Sequence, residues 1–281
     1  MVWRMAERWF GRRRRREGPR RRFEDRPEIP PESQTWRRFA APAGVTAEQL
    51  LATATNDLER LYYGPRDRIV TKWHHYLRIY DRHLAGFRGT PVRFLEIGVY
   101  RGGSLQLWRE YLGEAAQIHG IDISPNCARL DEPGVSVHIG SQADPAFLEE
   151  VARQMGGIDV VIDDGSHVPE HQVASFRALF PRLADGGVYI VEDLHTNYWR
   201  AYGGGVGAPE SFIAFAKAQI DGLHAPYLEG ADAGRVDRVA DLDSIALYDS
   251  VAVLQKRVWT PPFWMRRGTR GLQPRADGQE P

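Results

Sequence analysis

Hydrophobic residues between about residues 93 and 192 follow two alternating patterns. Short apolar and β-branched runs, such as the one that ends at Ile162, are typical of strands covered on both faces. Between these runs, apolar residues recur every three or four positions, as in amphipathic helices. The pattern predicts strands at 93–99, 117–123, 135–139, 158–163 and 187–192, and helices at 104–112, 145–154 and 169–183. This alternation predicts an α/β fold with a mostly parallel sheet and helices on both faces.

The segments on either side of this region differ from it. Residues 46–61 and 72–86 each carry a helical apolar stripe and precede the first strand. After Tyr198, a glycine-rich loop leads to a predicted helix at 210–222 and to two short strands at 244–248 and 250–256. These strands are close enough in sequence to form an antiparallel hairpin at the end of the sheet.

The patterns divide the chain into four parts. Residues 1–35 contain two arginine runs and are expected to be disordered, because they are dense in like charge. Residues 36–90 form a helical segment, and residues 91–258 form the α/β domain. Residues 259–281 are rich in proline, arginine and glycine and are also expected to be disordered.

Composition excludes several classes of protein. Hydrophobic residues make up 42% of the 281, enough for a substantial core, and the formal net charge of zero gives no overall attraction to nucleic acid. The single cysteine, Cys127, excludes an internal disulfide framework and fits a reducing cytoplasm. No segment approaches the ~20 apolar residues that a membrane span needs.

The most informative stretch is VIDDGSHVPEHQV, which begins at Val161. A buried strand ends there in Asp163 and Asp164, a sharp turn follows, and Pro169 suits the first position of a helix. Ligands of open parallel sheets bind at the carboxyl ends of the strands, so these carboxylates and His167 are placed where chemistry is usually done. Alternatively, Asp164 and Ser166 only satisfy a turn and a helix N-terminus.

A second stretch, FLEIGVYRGGSLQLW, predicts a strand, a glycine turn and a helix. Gly98 and Gly102 would let a ligand approach the backbone closely, and Ser104 can cap the helix. The spacing is not the dinucleotide pattern, and the acidic Glu96 inside the strand suits a cationic or zwitterionic ligand. Asp122 ends the next strand, where a carboxylate can accept hydrogen bonds from both hydroxyls of a ribose.

The segments LEIGVYRGGS, GIDIS, GSQAD, IDDGSH and VEDLHTNYW, in this order, resemble the Rossmann-like class I S-adenosylmethionine-dependent methyltransferases. More narrowly, the chain resembles the metal-dependent sugar O-methyltransferases of antibiotic biosynthesis, of the mycinamicin and demethylmacrocin type, together with the rhamnosyl methyltransferase and cephalosporin hydroxylase-like group. Those macrolide enzymes carry a longer N-terminal auxiliary domain. The roughly 70 residues before Lys72 are too few and too polar to replace it.

The resemblance implies a set of residues that bind S-adenosylmethionine. Residues of the glycine turn and its strand would line the methionine part, an acidic residue would hold the ribose, GSQAD would flank the adenine, and KWHHYLRIYD would fold over the cofactor. The set comprises Lys72, His75, Tyr76, Glu96, Gly98, Gly102, Ser104, Asp122, Ser141, Gln142 and Asp163.

The resemblance also implies a metal site. Asp164 and Asp193 end neighbouring strands, and two carboxylates suit a hard cation such as Mg²⁺. Asp81 is the candidate for a third ligand from the segment before the sheet. His167 is the candidate general base that takes the proton of a sugar hydroxyl, with His195 and His171 as alternatives.

The acceptor implied is a small-molecule glycoside, with no nucleic acid or membrane as partner and a homo-oligomer possible. The loop at 197–209 is expected to be a lid, because its glycines allow hinge motion and its aromatic side chains suit a sugar. Two other functions remain open. His167, His195 and Asp164 could form the two-histidine, one-carboxylate iron site of a hydroxylase-like enzyme. Alternatively, the chain is a non-catalytic protein that binds S-adenosylmethionine or nucleic acid.

Overall fold

The computed structural model describes residues 39–268, and it confirms the predicted α/β class. Within these residues, seven strands form one sheet in the order β3-β2-β1-β4-β5-β7-β6. The strands are β1 (Arg93–Ile97), β2 (Gln117–Asp122), β3 (Val135–Ile139), β4 (Ile158–Asp163), β5 (Leu183–Val191), β6 (Leu242–Tyr248) and β7 (Val251–Lys256). Strands β1 to β5 pair in parallel, whereas β7 is antiparallel to both β5 and β6. The predicted C-terminal hairpin is therefore confirmed.

Seven α-helices accompany these strands in the described part of the chain. They are α1 (Ala47–Ala52), α2 (Asp57–Tyr63), α3 (Tyr76–Leu84), α4 (Gly103–Leu112), α5 (Pro145–Met155), α6 (Pro169–Leu179) and α7 (Phe212–Leu223). Helices α4, α5 and α6 alternate with the first five strands, as the hydrophobic pattern predicts.

Two layers of hydrophobic core cover the two faces of the sheet. Phe94 points into the layer that contains α2, α3 and α4, and its neighbour Leu95 points into the layer that contains α5, α6 and α7. Val160 and Val161 of β4 divide between the layers in the same way. Since successive side chains of a strand point to opposite faces, a strand buried on both sides must be apolar at every position.

The helix predicted at 46–61 is interrupted. It forms α1 and α2, separated at residues 53–56, because polar side chains there bond the backbone locally. The Asn56 side chain accepts a hydrogen bond from the backbone N–H of Glu59, and the Glu59 carboxylate accepts one from Thr55 N–H at 2.6 Å. These reciprocal bonds start a new helix.

The helix predicted at 72–86 begins four residues later, at Tyr76. The backbone of Lys72 is held by the hydroxyl of Tyr62, which lies 3.0 Å from the Lys72 nitrogen and 3.1 Å from its carbonyl oxygen. Residues 72–75 therefore run as an irregular segment alongside the sheet domain.

The described residues from Ala47 onward belong to one compact unit. Residues 39–46 belong to a separate N-terminal unit, in which Val45 N–H donates to the carbonyl of Pro42. Residues 1–35 lie outside the described part, and of the predicted C-terminal tail residues 259–268 are described and contain no helix or strand. Across residues 39–268 no helix combines the length and apolarity that crossing a membrane requires.

We predict that His119 and His138 make the fold less stable in mild acid. His119 Nδ1 lies 3.0 Å from His138 Nε2, and burial lowers the pKa of His119 to about 4 and also lowers that of His138. An unfolded histidine titrates near pH ~6.5, so the unfolded chain binds protons first and stability is lost as the pH falls from ~6.5 toward ~4. His119→Gln should therefore make the free energy of unfolding, measured in urea, fall less steeply between about pH 7 and about pH 5.

The control for this prediction is His74→Gln, which replaces an exposed histidine. It should leave the pH dependence of the wild-type protein unchanged. An equally steep fall in His119→Gln would contradict the assignment of this acid sensitivity to the pair.

Candidate active site

The predicted site residues meet at the edge of the sheet formed by the carboxyl ends of the parallel strands. Gly98 follows β1, Asp122 ends β2, Asp164 follows β4 and Glu192 follows β5. The strand order changes direction between β1 and β4, and open α/β sheets bind their ligands at such a point.

Gly98 brings the turn after β1 into direct contact with the turn after β4. Its φ is +95°, and a Cβ at this position would collide with the carbonyl oxygen of Asp164. The N–H of Gly98 donates to the carbonyl of Ile121 at 2.8 Å, and Asp164 N–H donates to the carbonyl of Ile97 at 2.9 Å. Because both the φ and the contact exclude a side chain, glycine is required here. Gly102 also has a positive φ, +74°, where α4 begins.

Asp122 holds the glycine turn beside β2. Its carboxylate accepts hydrogen bonds from the backbone N–H groups of Val99 at 3.0 Å, Tyr100 at 2.9 Å and Ser124 at 2.8 Å. A carboxylate has about four acceptor positions, so a ligand hydroxyl can still bind. The ribose contact predicted for Asp122 stays a prediction.

Glu96 and Ser104 bond to each other inside the core. The Glu96 carboxylate is fully buried and accepts hydrogen bonds from the Ser104 hydroxyl at 2.6 Å and the Trp108 indole at 3.0 Å. Burial raises the pKa of Glu96, although the nearby Lys72 ammonium opposes this. These contacts join β1 to α4, and the predicted contact of both side chains with a cofactor stays a prediction.

Asp163 is also buried, and its predicted place beside the cofactor stays a prediction. Its carboxylate has no exposed surface, is hydrogen-bonded by the Ser175 hydroxyl, and accepts from the Gln142 amide at 3.1 Å. The Gln142 carbonyl accepts the backbone N–H of Ser166 at 2.6 Å. Burial raises the pKa of Asp163 to about 6. Asp163 and Gln142 therefore fix the turn between β4 and α6.

Two of the predicted cofactor residues are partly exposed near this edge. The Ser141 hydroxyl accepts the N–H of Ala143 at 3.2 Å. His75 Nε2 lies 3.2 Å from the carbonyl oxygen of Asp249, and its ring packs against that of Tyr76 at 4.7 Å. Neither contact tests a role in cofactor binding.

Asp164, His167 and Asp193 converge into one group, in which a potential metal-binding atom of each lies within 4.8 Å of the others. His167 Nε2 is 3.8 Å from Asp164 Oδ1 and 3.5 Å from Asp193 Oδ2. Two carboxylates and an imidazole can bind a divalent cation, or the carboxylates can bind it while the imidazole acts as a base.

The backbone of this group is strained. His167 has φ +53° and Asp193 has φ +54°, in the left-handed region that residues other than glycine rarely adopt. Such conformations cost about 1–3 kcal/mol each and cluster at functional sites. Here the strain turns both side chains toward one another at the ends of neighbouring strands.

Lys72 contacts this group from a buried position and is surrounded by carboxylates. Its Nζ is 2.5 Å from Asp164 Oδ2, 2.9 Å from Glu192 Oε1 and 3.6 Å from Glu96 Oε1. Burial acts to lower the pKa of Lys72, but the carboxylates of Asp164, Glu192 and Glu96 raise it well above its usual value, so the amine is charged. Lys72 thus links acids of three adjacent strands.

Glu192 is a buried acid beside this group for which the sequence motifs predict no role. It is almost fully buried, and burial together with the charge of Asp164 raises its pKa well above the usual value. Its position next to the candidate metal ligand Asp193 in VEDLH could have indicated a role, because a buried carboxylate at such a position needs a cationic partner.

Tyr76 contacts the metal-ligand candidate Asp193. Its hydroxyl donates to Asp193 Oδ1 at 2.8 Å, and the carbonyl oxygen of Ser250 lies 3.4 Å away. Tyr76 is fully buried, and burial, with the charge of Asp193, raises the pKa of its hydroxyl. These contacts leave the predicted place of Tyr76 over the cofactor untested.

Asp81 does not join the candidate metal ligands. Its carboxylate accepts a hydrogen bond from the Tyr111 hydroxyl at 2.8 Å, between α3 and α4. It is not part of the group formed by Asp164, His167 and Asp193. Helix α3 directs Tyr76 to the group and Asp81 to α4, so the structure does not bring Asp81 to the other two aspartates, and its role as a third ligand stays a prediction.

The two alternative bases lie further from the paired carboxylates. His195 Nδ1 is 2.6 Å from the Ser250 hydroxyl and 4.0 Å from Asp193 Oδ1, and burial lowers the pKa of His195. His171 Nδ1 is 2.9 Å from the hydroxyl of Ser166. Of the three histidines, His167 alone is in the group with both aspartates.

Comparison with known proteins identifies the type of domain. Residues 95–194 match a family model described as "Methyltransferase domain". The chain is 39% identical over 199 residues to the 8-demethyl-8-α-L-rhamnosyl tetracenomycin-C 2'-O-methyltransferase of Streptomyces olivaceus, covering 66% of this chain and 52% of that protein. It is 34% identical to the demethylmacrocin O-methyltransferase of Streptomyces fradiae, covering 79% of this chain and 59% of that protein.

A solved structure gives the same result. The chain superimposes on the MycE methyltransferase of the mycinamycin biosynthetic pathway, solved in complex with Mg, SAH and mycinamycin VI, with a TM-score of 0.63 and 34% identity. The match covers 72% of this chain and 53% of that one. The chain thus spans between half and three fifths of the length of these relatives. The resemblance seen in the sequence and the class I methyltransferase fold are confirmed.

We predict that Gly98→Ala destabilises the protein strongly. The positive φ alone costs about 1–3 kcal/mol for a residue with a side chain, and the collision with the Asp164 carbonyl adds to it. Urea unfolding measures the loss. Gly86→Ala is the control, because a Cβ there meets no atom within 4 Å. Equal stability of the two variants would refute the required contact between the turns.

Proposed function

We propose, from the premise that residues 95–194 form a methyltransferase domain, that the chain is a metal-dependent S-adenosylmethionine O-methyltransferase. Its acceptor would be a sugar hydroxyl of a small-molecule glycoside. The observation that carries the proposal is the convergence of Asp164, His167 and Asp193 next to the glycine turn. Two carboxylates and an imidazole beside the turn where ligands of such sheets bind support this proposal.

The cofactor site proposed here uses the turn after β1. Gly98 and Gly102 leave the two ends of this turn without a side chain, and Asp122, which already fixes the turn, would accept the ribose hydroxyls. Ser141 lies partly exposed at the same edge and would flank the adenine. Glu96, Ser104 and Asp163 would support the turns from inside the core.

The donor set fits a hard divalent cation such as Mg²⁺. Asp164 and Asp193 offer the carboxylate oxygens that this ion prefers, and the Lys72 ammonium contacts Glu192 and lies 3.6 Å from Glu96, the other two carboxylates nearby. When bound, such an ion supplies Lewis-acid polarisation of an acceptor hydroxyl. The relatives' bound ligands support Mg²⁺ and S-adenosylmethionine as the cofactors of this chain.

His167 would take the proton of the acceptor hydroxyl. Its Nε2 faces both carboxylates, which stabilise the ring once it is protonated. The hydroxyl oxygen then forms a bond to the methyl carbon as the carbon–sulfur bond breaks, and the electron pair leaves with sulfur. The sulfonium is a good leaving group, so the protein mainly orients and deprotonates the acceptor.

Aromatic side chains near the group support a glycoside acceptor. The ring of His195 lies 4.6 Å from that of Trp199 and 5.2 Å from that of Trp73. Flat apolar surfaces of this kind suit the faces of a sugar. Asn197 anchors the proposed lid, since its amide donates to Gln172 at 2.8 Å, whereas Val206 at the loop tip is 94% exposed. Closure of the loop at 197–209 over an acceptor remains part of the proposal.

The two other functions are less well supported. A hydroxylase-like iron site needs two histidines and one carboxylate, whereas the group within residues 39–268 has one histidine and two carboxylates. A non-catalytic protein has no need of the strained backbone at His167 and Asp193. The arginine runs that would bind nucleic acid lie outside the described residues.

The proposal also includes a cytoplasmic location. The single cysteine, Cys127, is buried, which suits a reducing cytoplasm. A homo-oligomer stays a prediction.

We predict that S-adenosylmethionine binds and that NAD does not. Asp122→Ala should weaken binding of S-adenosylmethionine by about 1–3 kcal/mol, or roughly 5- to 150-fold in Kd, because the ribose loses its acceptor and the turn its anchor. Isothermal titration calorimetry measures both. Asp131→Ala is the control. Asp131 also accepts a hydrogen bond from a backbone N–H, but that N–H belongs to Val137 of β3. Binding of NAD alone would overturn the cofactor assignment.

We also predict that turnover needs a divalent cation and His167. Release of S-adenosylhomocysteine, measured with a panel of deoxysugar glycosides, should stop in EDTA and return with Mg²⁺. His167→Asn, which tolerates the left-handed backbone, should cut turnover by about 10²–10⁴ and recover as the pH rises, because hydroxide replaces the base.

The matched variant for this prediction is His171→Asn. His171 lies on α6 and bonds Ser166, so its loss should leave most of the turnover. Full activity in EDTA, or a His167→Asn enzyme as active as the wild type, would contradict the mechanism.

A further inference from the structure

Each candidate metal ligand uses its two carboxylate oxygens differently. Asp164 directs Oδ1 toward His167, at 3.8 Å, and gives Oδ2 to the ammonium of Lys72, at 2.5 Å. Asp193 directs Oδ2 toward His167, at 3.5 Å, and gives Oδ1 to the hydroxyl of Tyr76, at 2.8 Å. In both residues one oxygen is fixed by a donor and the other faces the shared group.

Both donors come from one short segment, residues 72–76. The Tyr62 hydroxyl holds the Lys72 backbone on both its nitrogen and its carbonyl oxygen. The side chain of Lys72 is 2% exposed and Tyr76 is fully buried, so neither donor competes with solvent for its carboxylate. The segment therefore offers both donors from buried positions.

The charges around the two aspartates also favour the binding of a cation. The Lys72 ammonium contacts Asp164 and Glu192 and lies 3.6 Å from Glu96, so it is shared among three acids and cannot neutralise them all. Asp193 has a neutral donor, Tyr76. The site as a whole keeps negative charge, which a divalent cation complements.

We propose that Lys72 and Tyr76 are positioning residues that fix Asp164 and Asp193 for a divalent cation, each by holding one carboxylate oxygen. This inference rests on the proposed function, because it assigns the supporting residues of the same metal site. A carboxylate held at one oxygen cannot rotate, so its other oxygen is already oriented and binding costs less conformational entropy. Removing such support typically weakens metal affinity by about 10- to 100-fold.

The first test measures Mn²⁺ binding to the full chain by electron paramagnetic resonance, without S-adenosylmethionine or acceptor. Tyr76→Phe removes only the hydroxyl and should raise the Kd for Mn²⁺ by about 10- to 100-fold. Tyr111→Phe is the matched control, because the Tyr111 hydroxyl also donates to an aspartate, Asp81, at 2.8 Å, but outside the group. It should bind Mn²⁺ like the wild type.

The second test separates positioning by Lys72 from simple neutralisation of charge. Lys72→Met alone leaves Glu192 buried without its cation and endangers folding, so it is combined with Glu192→Gln. The double variant removes the ammonium together with one carboxylate that it contacts, and it leaves Asp164 Oδ2 without the ammonium. Positioning predicts Mn²⁺ affinity weakened by about tenfold or more, whereas neutralisation alone predicts wild-type affinity.

The affinity for S-adenosylmethionine and the melting temperature are measured on the same variants. Positioning raises the Kd for Mn²⁺ in a variant that keeps a single cooperative melting transition, whereas a general structural defect removes that transition as well; the affinity for S-adenosylmethionine reports separately on the predicted cofactor role of Lys72 and Tyr76. Wild-type Mn²⁺ affinity in Tyr76→Phe overturns the role of Tyr76, and wild-type affinity in the double variant overturns that of Lys72. If the wild type itself binds no Mn²⁺, or if Asp164→Asn binds it equally well, the metal site of the proposed function is overturned with it.

Discussion

The candidate site is built on one buried ammonium group. Lys72 makes contacts with acids on β1, after β4 and after β5, and these three acids would repel one another without it. Placing so many carboxylates at adjacent strand ends is costly unless a cation lies among them. The lysine therefore allows Asp164 and Asp193 to lie close together. The segment that carries it belongs to the same compact unit as the sheet.

The fold was largely predictable from the chain, because its strands are marked by period and by β-branched residues. The predicted strand at 135–139 has the observed bounds, and the strand at 158–163 does as well. The break between α1 and α2 was missed because the apolar stripe runs through it. Local hydrogen bonds of Asn56 and Glu59 determine where the second helix begins. Hydrophobic periodicity carries no information about such competition between side chain and backbone.

The site was predictable in its location but not in its contacts. The turn motifs placed Asp164, His167 and Asp193 correctly at strand ends, and these residues do converge. Glu96 and Asp163 are predicted to bind the cofactor, but their burial could not be read from the sequence, because a strand residue can point to either face of the sheet. Asp81 and Tyr76 lie on the same helix, and only the packing of that helix decides which of them reaches the ligands. The roles of these residues in binding remain proposals.

The turn between β6 and β7 completes the site from the far end of the chain. Ser250 has φ +64°, accepts Leu194 N–H through its carbonyl at 3.0 Å, and accepts His195 N–H through its hydroxyl at 3.0 Å. Its carbonyl also lies 3.4 Å from the hydroxyl of Tyr76, a residue 174 positions earlier. During synthesis on the ribosome, all candidate ligands emerge before this turn does. A nascent chain therefore carries the chemical groups of the site without their arrangement, which forms only when the last hairpin joins the sheet.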